Sequence, residues 1–248
     1  MYRYRGRKRE RRGLFLLAVI AILLLLVIGC IFYVRDFYRA DDAALTAMQS
    51  DNRVTVEQTD AGAVFMPQEP STGLVFYPGG KVEHTAYAPL MRELAEEGIL
   101  CVLTEMPLNL AVLDVNAAEG IPEQYPDITT WYIGGHSLGG SMAASFAADH
   151  ADTYEGLILL ASYSTKDLSG TDLRVLSVYG SEDGVLNQEK YSGNKVHLPD
   201  SAVEILLDGG NHACFGSYGA QEGDGAARIS PEKQVEATAE QIIAFFEG

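Results

Sequence analysis

The sequence is poor in cysteine. Three cysteines in 248 residues cannot build a multi-bridge framework, which excludes a small disulfide-stapled scaffold. No Cys/His spacing matches a zinc site, so neither a metal nor an organic cofactor is expected. Positive charge is scarce beyond residue 40. The first 40 residues hold nine basic and two acidic side chains, which leaves 9 and 32 in residues 41–248, a net charge of −23. Such a surface favours solubility and argues against nucleic acid as a partner. There is no internal repeat, and no low-complexity segment apart from the basic N-terminus, so solenoids and arrays are excluded.

Long hydrophobic runs are absent too, with one exception. MYRYRGRKRERR carries seven Lys/Arg in its first twelve residues, and Gly13–Val34 then runs 22 residues without a charge. At about 1.5 Å per helical residue the run spans roughly 33 Å, against a hydrocarbon core of about 30 Å. It reads as a transmembrane helix. A cleaved secretory signal would have a shorter apolar region and an A-x-A-like site after it, and none follows. Val27-Ile28-Gly29-Cys30 resembles a lipoprotein lipobox, but Ile31, Phe32, Tyr33 and Val34 continue the apolar run. Either reading tethers the chain to a membrane. The basic cluster keeps the N-terminus in the cytoplasm and sends residues 35–248 across. The expected organisation is a basic cytoplasmic tail (1–12), a transmembrane helix (13–34), a stalk (35–52) and a globular domain (53–248).

Within that domain, residues 53–58 and 61–67 read as a hairpin, from their Val, Thr and Phe content. Short apolar strands at 72–80, 99–107, 131–135, 156–162, 173–180 and 203–209 alternate with helical patterns at 86–98, after Ser137, near 187–194 and at 231–248. Residues 108–126 read as a helix followed by a loop. This alternation means a mostly parallel central sheet flanked by helices, an α/β class.

WYIGGHSLGGSMAASFA (131–147) sets Ser137 between two glycine pairs where a strand becomes a helix. Gly135-His136-Ser137-Leu138-Gly139 fits G-x-S-x-G. Small flanking residues let a strained turn close and lift Ser137 Oγ above the sheet. The turn also puts the Leu138 N–H at a helix N-terminus, where negative charge is favoured. A serine hydroxyl needs a base to become a nucleophile. His136 is too close in sequence, His84 precedes the serine, His150 lies at a helix end, and His197 precedes a strand. His212, in the loop after the last strand, is the candidate base. The carboxylate should come between, and VYGSEDGV offers Asp183, with Glu182 in reserve; an Asp in such a turn is otherwise a turn former. The glycine turn Tyr77-Pro78-Gly79-Gly80-Lys81 is placed to give a second oxyanion donor, Gly80 first and Lys81 second.

As a set, YPGGKV, WYIGGHSLGG, YGSEDGV and GGNHACFG resemble the α/β-hydrolase superfamily, in particular small bacterial members similar to dienelactone hydrolases. The resemblance covers about residues 53–248. It implies an eight-stranded, mostly parallel sheet and a hydrolase using Ser137, Asp183 and His212. Pro78-Gly79 stands where many relatives have His-Gly. The expected activity is cleavage of a small carboxylic ester. An acyltransferase or thioesterase on the same residues, or an inactive envelope binding domain, are the alternatives. Only eleven residues, Ser162–Asp172, follow the strand after the nucleophile helix, too few for a separate cap. Cys214–Ser230 reads as a glycine-rich rim of the site, so an open site for short, soluble esters is expected.

Overall fold

The computed structural model describes residues 3–248, with side chains from Leu14 onward. The basic tail expected over residues 1–12 lies outside the described side chains. The chain divides into two compact units, one ending at Phe37 and one running from Tyr38 to Gly248.

The first unit is the helix α1, Arg3–Arg35. Its segment Leu14–Arg35 has 22 residues, and an 18-residue window within it reaches a mean hydropathy of 3.4 with none of its residues buried. It is long enough and apolar enough to cross a membrane, and it is apolar on every face.

The second unit contains α2 (Asp42–Ala47), β1 (Val54–Thr59), β2 (Gly62–Pro67), β3 (Thr72–Tyr77), α3 (Ala88–Glu96), β4 (Ile99–Thr104), α4 (Ile121–Gln124), β5 (Thr130–His136), α5 (Leu138–Asp149), β6 (Gly156–Leu160), β7 (Arg174–Gly180), α6 (Gln188–Asn194), β8 (Val203–Leu207) and α7 (Pro231–Glu247). One eight-stranded sheet runs in the order β1-β2-β4-β3-β5-β6-β7-β8. The β1–β2 and β2–β4 pairs are antiparallel and the rest are parallel. The central strands are apolar along their length because both faces are covered. Alternate residues serve opposite cores. Leu74 and Phe76 of β3 pack with Leu90, Met91 and Leu94 of α3 and Ile242 and Phe245 of α7. Val75 and Tyr77 pack on the other face with Ala143, Ala144, Phe146 and Ala147 of α5. The helix α7 starts where Pro231 fits the first turn and the Ser230 side chain accepts from Lys233 N, the two devices that favour a helix start.

Three segments differ from the sequence reading. Residues 108–126 are not a helix followed by a loop. Two short 3-10 turns, Pro107–Asn109 and Ala111–Leu113, lead to the four-residue α4. Asn109, Asp114 and Asn116 compete with helical hydrogen bonding, and the backbone finds partners elsewhere. Asn109 C=O accepts from Lys81 N (2.7 Å), Val115 C=O accepts from the Tyr77 hydroxyl (2.9 Å), and Ala118 N donates to that hydroxyl (2.8 Å). The segment expected to be a stalk joins the second unit from Tyr38 onward. Tyr38 N donates to Lys81 O (2.8 Å), Glu83 N to Tyr38 O (2.9 Å) and Asp41 N to Ser217 O (2.9 Å), while Asp41 caps α2 and buries Ala44 and Ala47. The segment expected to be a rim, Cys214–Ser230, starts inside the core: Phe215 is fully buried and Tyr218 nearly so.

Between β6 and β7 the chain forms only turns, so no separate cap is inserted there, as the loop length implied.

Candidate active site

The chain leaves β3 toward β4 on one side and later returns as β5 on the other. This is a topological switch point, where open α/β sheets bind their ligands. Tyr77, the last residue of β3, pairs in register with Gly135 of β5, so the turn Pro78–Lys81 and the turn at Ser137 leave the sheet side by side. Each needs glycine for a different close approach. A Cβ on Gly139 would lie 2.2 Å from Pro78 O and 2.3 Å from Tyr77 O, and one on Gly80 would lie 2.9 Å from Leu138 Cδ2. The two turns interlock only because those side chains are missing.

Ser137 sits between strand and helix at φ 52°, ψ −122°. For a non-glycine residue this is strained by about 1–3 kcal/mol and persists only where the surroundings fix it. They do so on both sides. Ser137 N donates to Leu160 O at 2.9 Å, and Ser162 Oγ donates to Ser137 O at 2.7 Å. Ser141 Oγ, 3.1 Å from Ser162 Oγ, in turn donates to Tyr163 O at 2.8 Å. The strand–serine–helix context read from the sequence is therefore present.

Asp183 and His212 follow β7 and β8, neighbours in the sheet. His212 Nδ1 lies 2.9 Å from Asp183 Oδ2, with side chains only 1% and 0% exposed. The other carboxylate oxygen accepts from Val185 N (2.9 Å) and Leu186 N (2.8 Å). These bonds fix the carboxylate and direct Nδ1–H toward it, which leaves Nε2 as the ring nitrogen turned away from Asp183. His212 Nε2 is buried and has no partner among the described residues. Glu182, the reserve acid, bonds Ser181 Oγ and Arg228 Nε instead. No hydrogen bond joins Ser137 Oγ to His212 in this structure. His212 rests against the residue before the serine, with the His136 and His212 ring centroids 4.5 Å apart.

Of the two candidates for the second oxyanion donor, Lys81 is corrected. Its amide is committed to Asn109 O at 2.7 Å. The Gly79 amide is committed to Tyr87 Oη at 3.0 Å. The amides of Gly80 and Leu138 have no acceptor among the described residues, and Gly80 lies against Leu138. Two free N–H groups on interlocked turns are what an oxyanion requires.

Sequence reasoning missed the groups that hold this arrangement. The Tyr87 hydroxyl, 2.7 Å from His136 Nδ1, accepts from Gly79 and so donates to His136. Burial pushes the Tyr87 hydroxyl up, which keeps its proton in place. His136 is pushed well below the usual histidine range by burial first and by the neighbouring His212 second, with the His212 main chain acting the other way. It stays neutral, as the Nδ1 acceptor role demands. Asp224 ties the two loops together: its carboxylate accepts from Gly184 N (3.0 Å), His212 N (3.3 Å) and Ala213 N (2.8 Å). In the sequence Asp224 stands in Gly-Asp-Gly, the mark of a turn former, and nothing there signals its bond to the histidine loop. No group of three or more His, Cys, Asp or Glu able to hold a metal ion occurs among the described residues.

Among solved structures, Est1E from Butyrivibrio proteoclasticus superposes with a TM-score of 0.57 at 14% identity, covering 79% of this chain and 100% of that one. The dienelactone hydrolase from Anabaena variabilis gives 0.60 at 12% identity, covering 79% and 98%. A predicted CIB-like hydrolase from Thermoplasma acidophilum gives 0.54 at 14% identity, covering 76% and 98%. At such identities the likeness is one of fold. No curated protein matches the sequence. The model of the alpha/beta hydrolase family matches residues 73–236, which hold β3, the serine turn, the Asp183 and His212 loops and the start of α7. The chain belongs to the alpha/beta hydrolase family.

Proposed function

We propose that the protein is a membrane-anchored serine hydrolase that cleaves small carboxylic esters outside the cytoplasm. The observation that carries this reading is the buried His212–Asp183 hydrogen bond with His212 Nε2 buried and unpartnered beside a strained serine turn. In the reaction, Nε2 takes the proton of Ser137 as Oγ bonds the acyl carbon. The Leu138 and Gly80 amides receive the oxyanion. The protonated imidazole, held by Asp183, then gives its proton to the departing alcohol, which leaves an acyl-serine. Water repeats the sequence and releases the acid. Hydrogen bonds of this kind are often open in the free enzyme and tighten on the reacting complex, which is consistent with the absence of a Ser137–His212 bond. An ester as substrate draws support from the likeness to a dienelactone hydrolase, a dienelactone being a cyclic ester. The anchor is Leu14–Arg35, with the N-terminus in the cytoplasm by the positive-inside rule.

A fluorophosphonate probe tests the reading, because it labels only an activated serine. The wild-type chain should label at Ser137, and Ser137→Ala should neither label nor turn over ester, a loss on the order of 10⁶ in kcat as in other serine triads. A folded wild-type protein that stays unlabelled, or near-normal hydrolysis by Ser137→Ala, would overturn it.

A further inference from the structure

The segment Pro107–Leu113, PLNLAVL, has no charged residue. Seven large apolar residues are exposed among the described residues from Tyr38 onward, and three of them fall within six positions here: Leu108 at 53%, Val112 at 53% and Leu113 at 54%. Isolated exposed leucines are ordinary, whereas a cluster points to a partner.

The cluster lies at the site. Asn109 O holds the amide of Lys81, next to the free amide of Gly80, and the turn Ala111–Leu113 packs against α5, the helix that Ser137 begins. The chain takes unfavourable backbone to present it, since Leu108 and Asn109 both have positive φ, 55° and 57°.

The same edge is where the domain begins. Tyr38 bonds Lys81 through its amide and Glu83 through its carbonyl. The apolar helix ends at Arg35, three residues earlier, and three residues of chain reach at most about 10 Å. Covalent length alone holds Tyr38, and with it the Lys81 turn, close to the end of the helix. Chain length thus ties the segment that carries the cluster to the end of an apolar helix, and this argues for lipid as its occupant. The contact would be apolar, because residues 41–248 carry a net charge of −23 and anionic headgroups would repel such a domain.

We propose that Leu108, Val112 and Leu113 form a lipid-contact surface at the rim of the active site, so that esters dissolved in the bilayer reach Ser137 from the membrane side. This rests on the anchored-hydrolase reading and adds the partner and the entry side. It replaces the expectation of soluble esters alone.

The test uses the full chain in phosphatidylcholine vesicles, which carry no net charge. Cys30→Ser removes the one exposed thiol, since Cys101 and Cys214 are buried. Leu108→Cys is then labelled with an environment-sensitive nitrobenzoxadiazole. Val196→Cys serves as control, because Val196 is 73% exposed and lies in the turn Lys195–His197 on the crossover from β7 to β8. The label at 108 should shift its emission to the blue on reconstitution and be quenched by doxyl-labelled lipid, while the label at 196 should do neither. A wet label at 108 in chains that float with the vesicles would overturn the surface and leave the anchor standing. A blue shift without lipid quenching would mean a protein partner and would also overturn it. Chains that fail to float would overturn anchor and surface together, while fluorophosphonate labelling of Ser137 would still report separately on the hydrolase reading.

Discussion

Among the turns at one edge of the sheet that hold non-glycine residues in left-handed backbone, those at Ser137 and at Leu108–Asn109 differ most. Ser137, at φ 52°, is surrounded by glycines whose missing side chains let β3, β5 and α5 approach one another. Its strain follows from packing. Leu108 and Asn109, at φ 55° and 57°, have no glycine nearby in sequence and put a leucine where glycine would be easiest. The strain at Leu108 does not serve to bury its side chain, because Leu108 is exposed. A turn dictated by close approach of backbones should resist substitution. A turn kept for what it displays should tolerate, or gain from, a residue that suits the backbone better.

The first way to break this contrast is at Gly139. A Cβ there would meet two carbonyl oxygens of the Tyr77–Pro78 backbone at 2.3 and 2.2 Å. Neither is the flexible end of a side chain, so β3 and α5 must separate. Gly139→Ala should cost about 3 kcal/mol or more of stability, at the upper end for overpacking, and should displace Gly80 from Leu138. Urea unfolding measures the first effect. A loss under about 1 kcal/mol would mean that the turn is not held by close approach.

The same contrast explains what the sequence revealed. The strand–serine–helix turn was legible because glycine spacing and the switch from short apolar strand to alanine-rich helix encode it locally. The pairing of Asp183 with His212 was legible because their order along the chain and their places after successive strands narrow the choice. The helix expected at 108–126 failed because its backbone partners, Lys81 N and the Tyr77 hydroxyl, come from another strand and its turn. The stalk failed for a related reason: Tyr38 and Asp41 bond the Lys81–Glu83 turn and Ser217, far away in sequence. Ser162 and Asp224 act through hydrogen bonds to main-chain groups of distant residues and Tyr87 through one to the His136 side chain, and a composition window carries no trace of such bonds.

A second test sharpens the elbow side of the comparison. His136 is buried and held well below the usual histidine value of 6.5, mainly by burial. Below pH 6.5 the unfolded chain takes up a proton that the folded chain refuses. The unfolded state then binds more protons, so stability must fall as pH falls. For one such histidine the loss between pH 6.5 and 5.5 is about 1 kcal/mol. His84, also lowered by burial, adds to the wild-type slope and remains in a His136 variant. His136→Asn keeps an acceptor for Tyr87 and removes the titration, so its stability should depend on pH less steeply than that of the wild type by about that amount. Pro107–Leu113 has no titratable side chain and offers no counterpart. Identical slopes for the two proteins would mean that His136 takes up its proton in the folded chain as readily as in the unfolded one, which would overturn the acceptor role assigned to it.

The smallest effect is expected at Leu108, and its sign matters more than its size. Left-handed backbone costs a leucine about 1–2 kcal/mol that glycine avoids. Glycine returns part of this gain by loosening the unfolded chain. The leucine side chain is more than half exposed, so little buried area is lost. Leu108→Gly should therefore leave stability unchanged or raise it by up to about 1 kcal/mol, measured by the same urea unfolding. In vesicles the same variant should hydrolyse a bilayer-dissolved ester more slowly while treating a water-soluble ester as the wild type does. A residue that costs stability and returns only contact with lipid is kept for that contact. If Leu108→Gly instead destabilises the domain by more than about 1 kcal/mol, Leu108 is a packing residue, and the difference drawn between the two turns disappears.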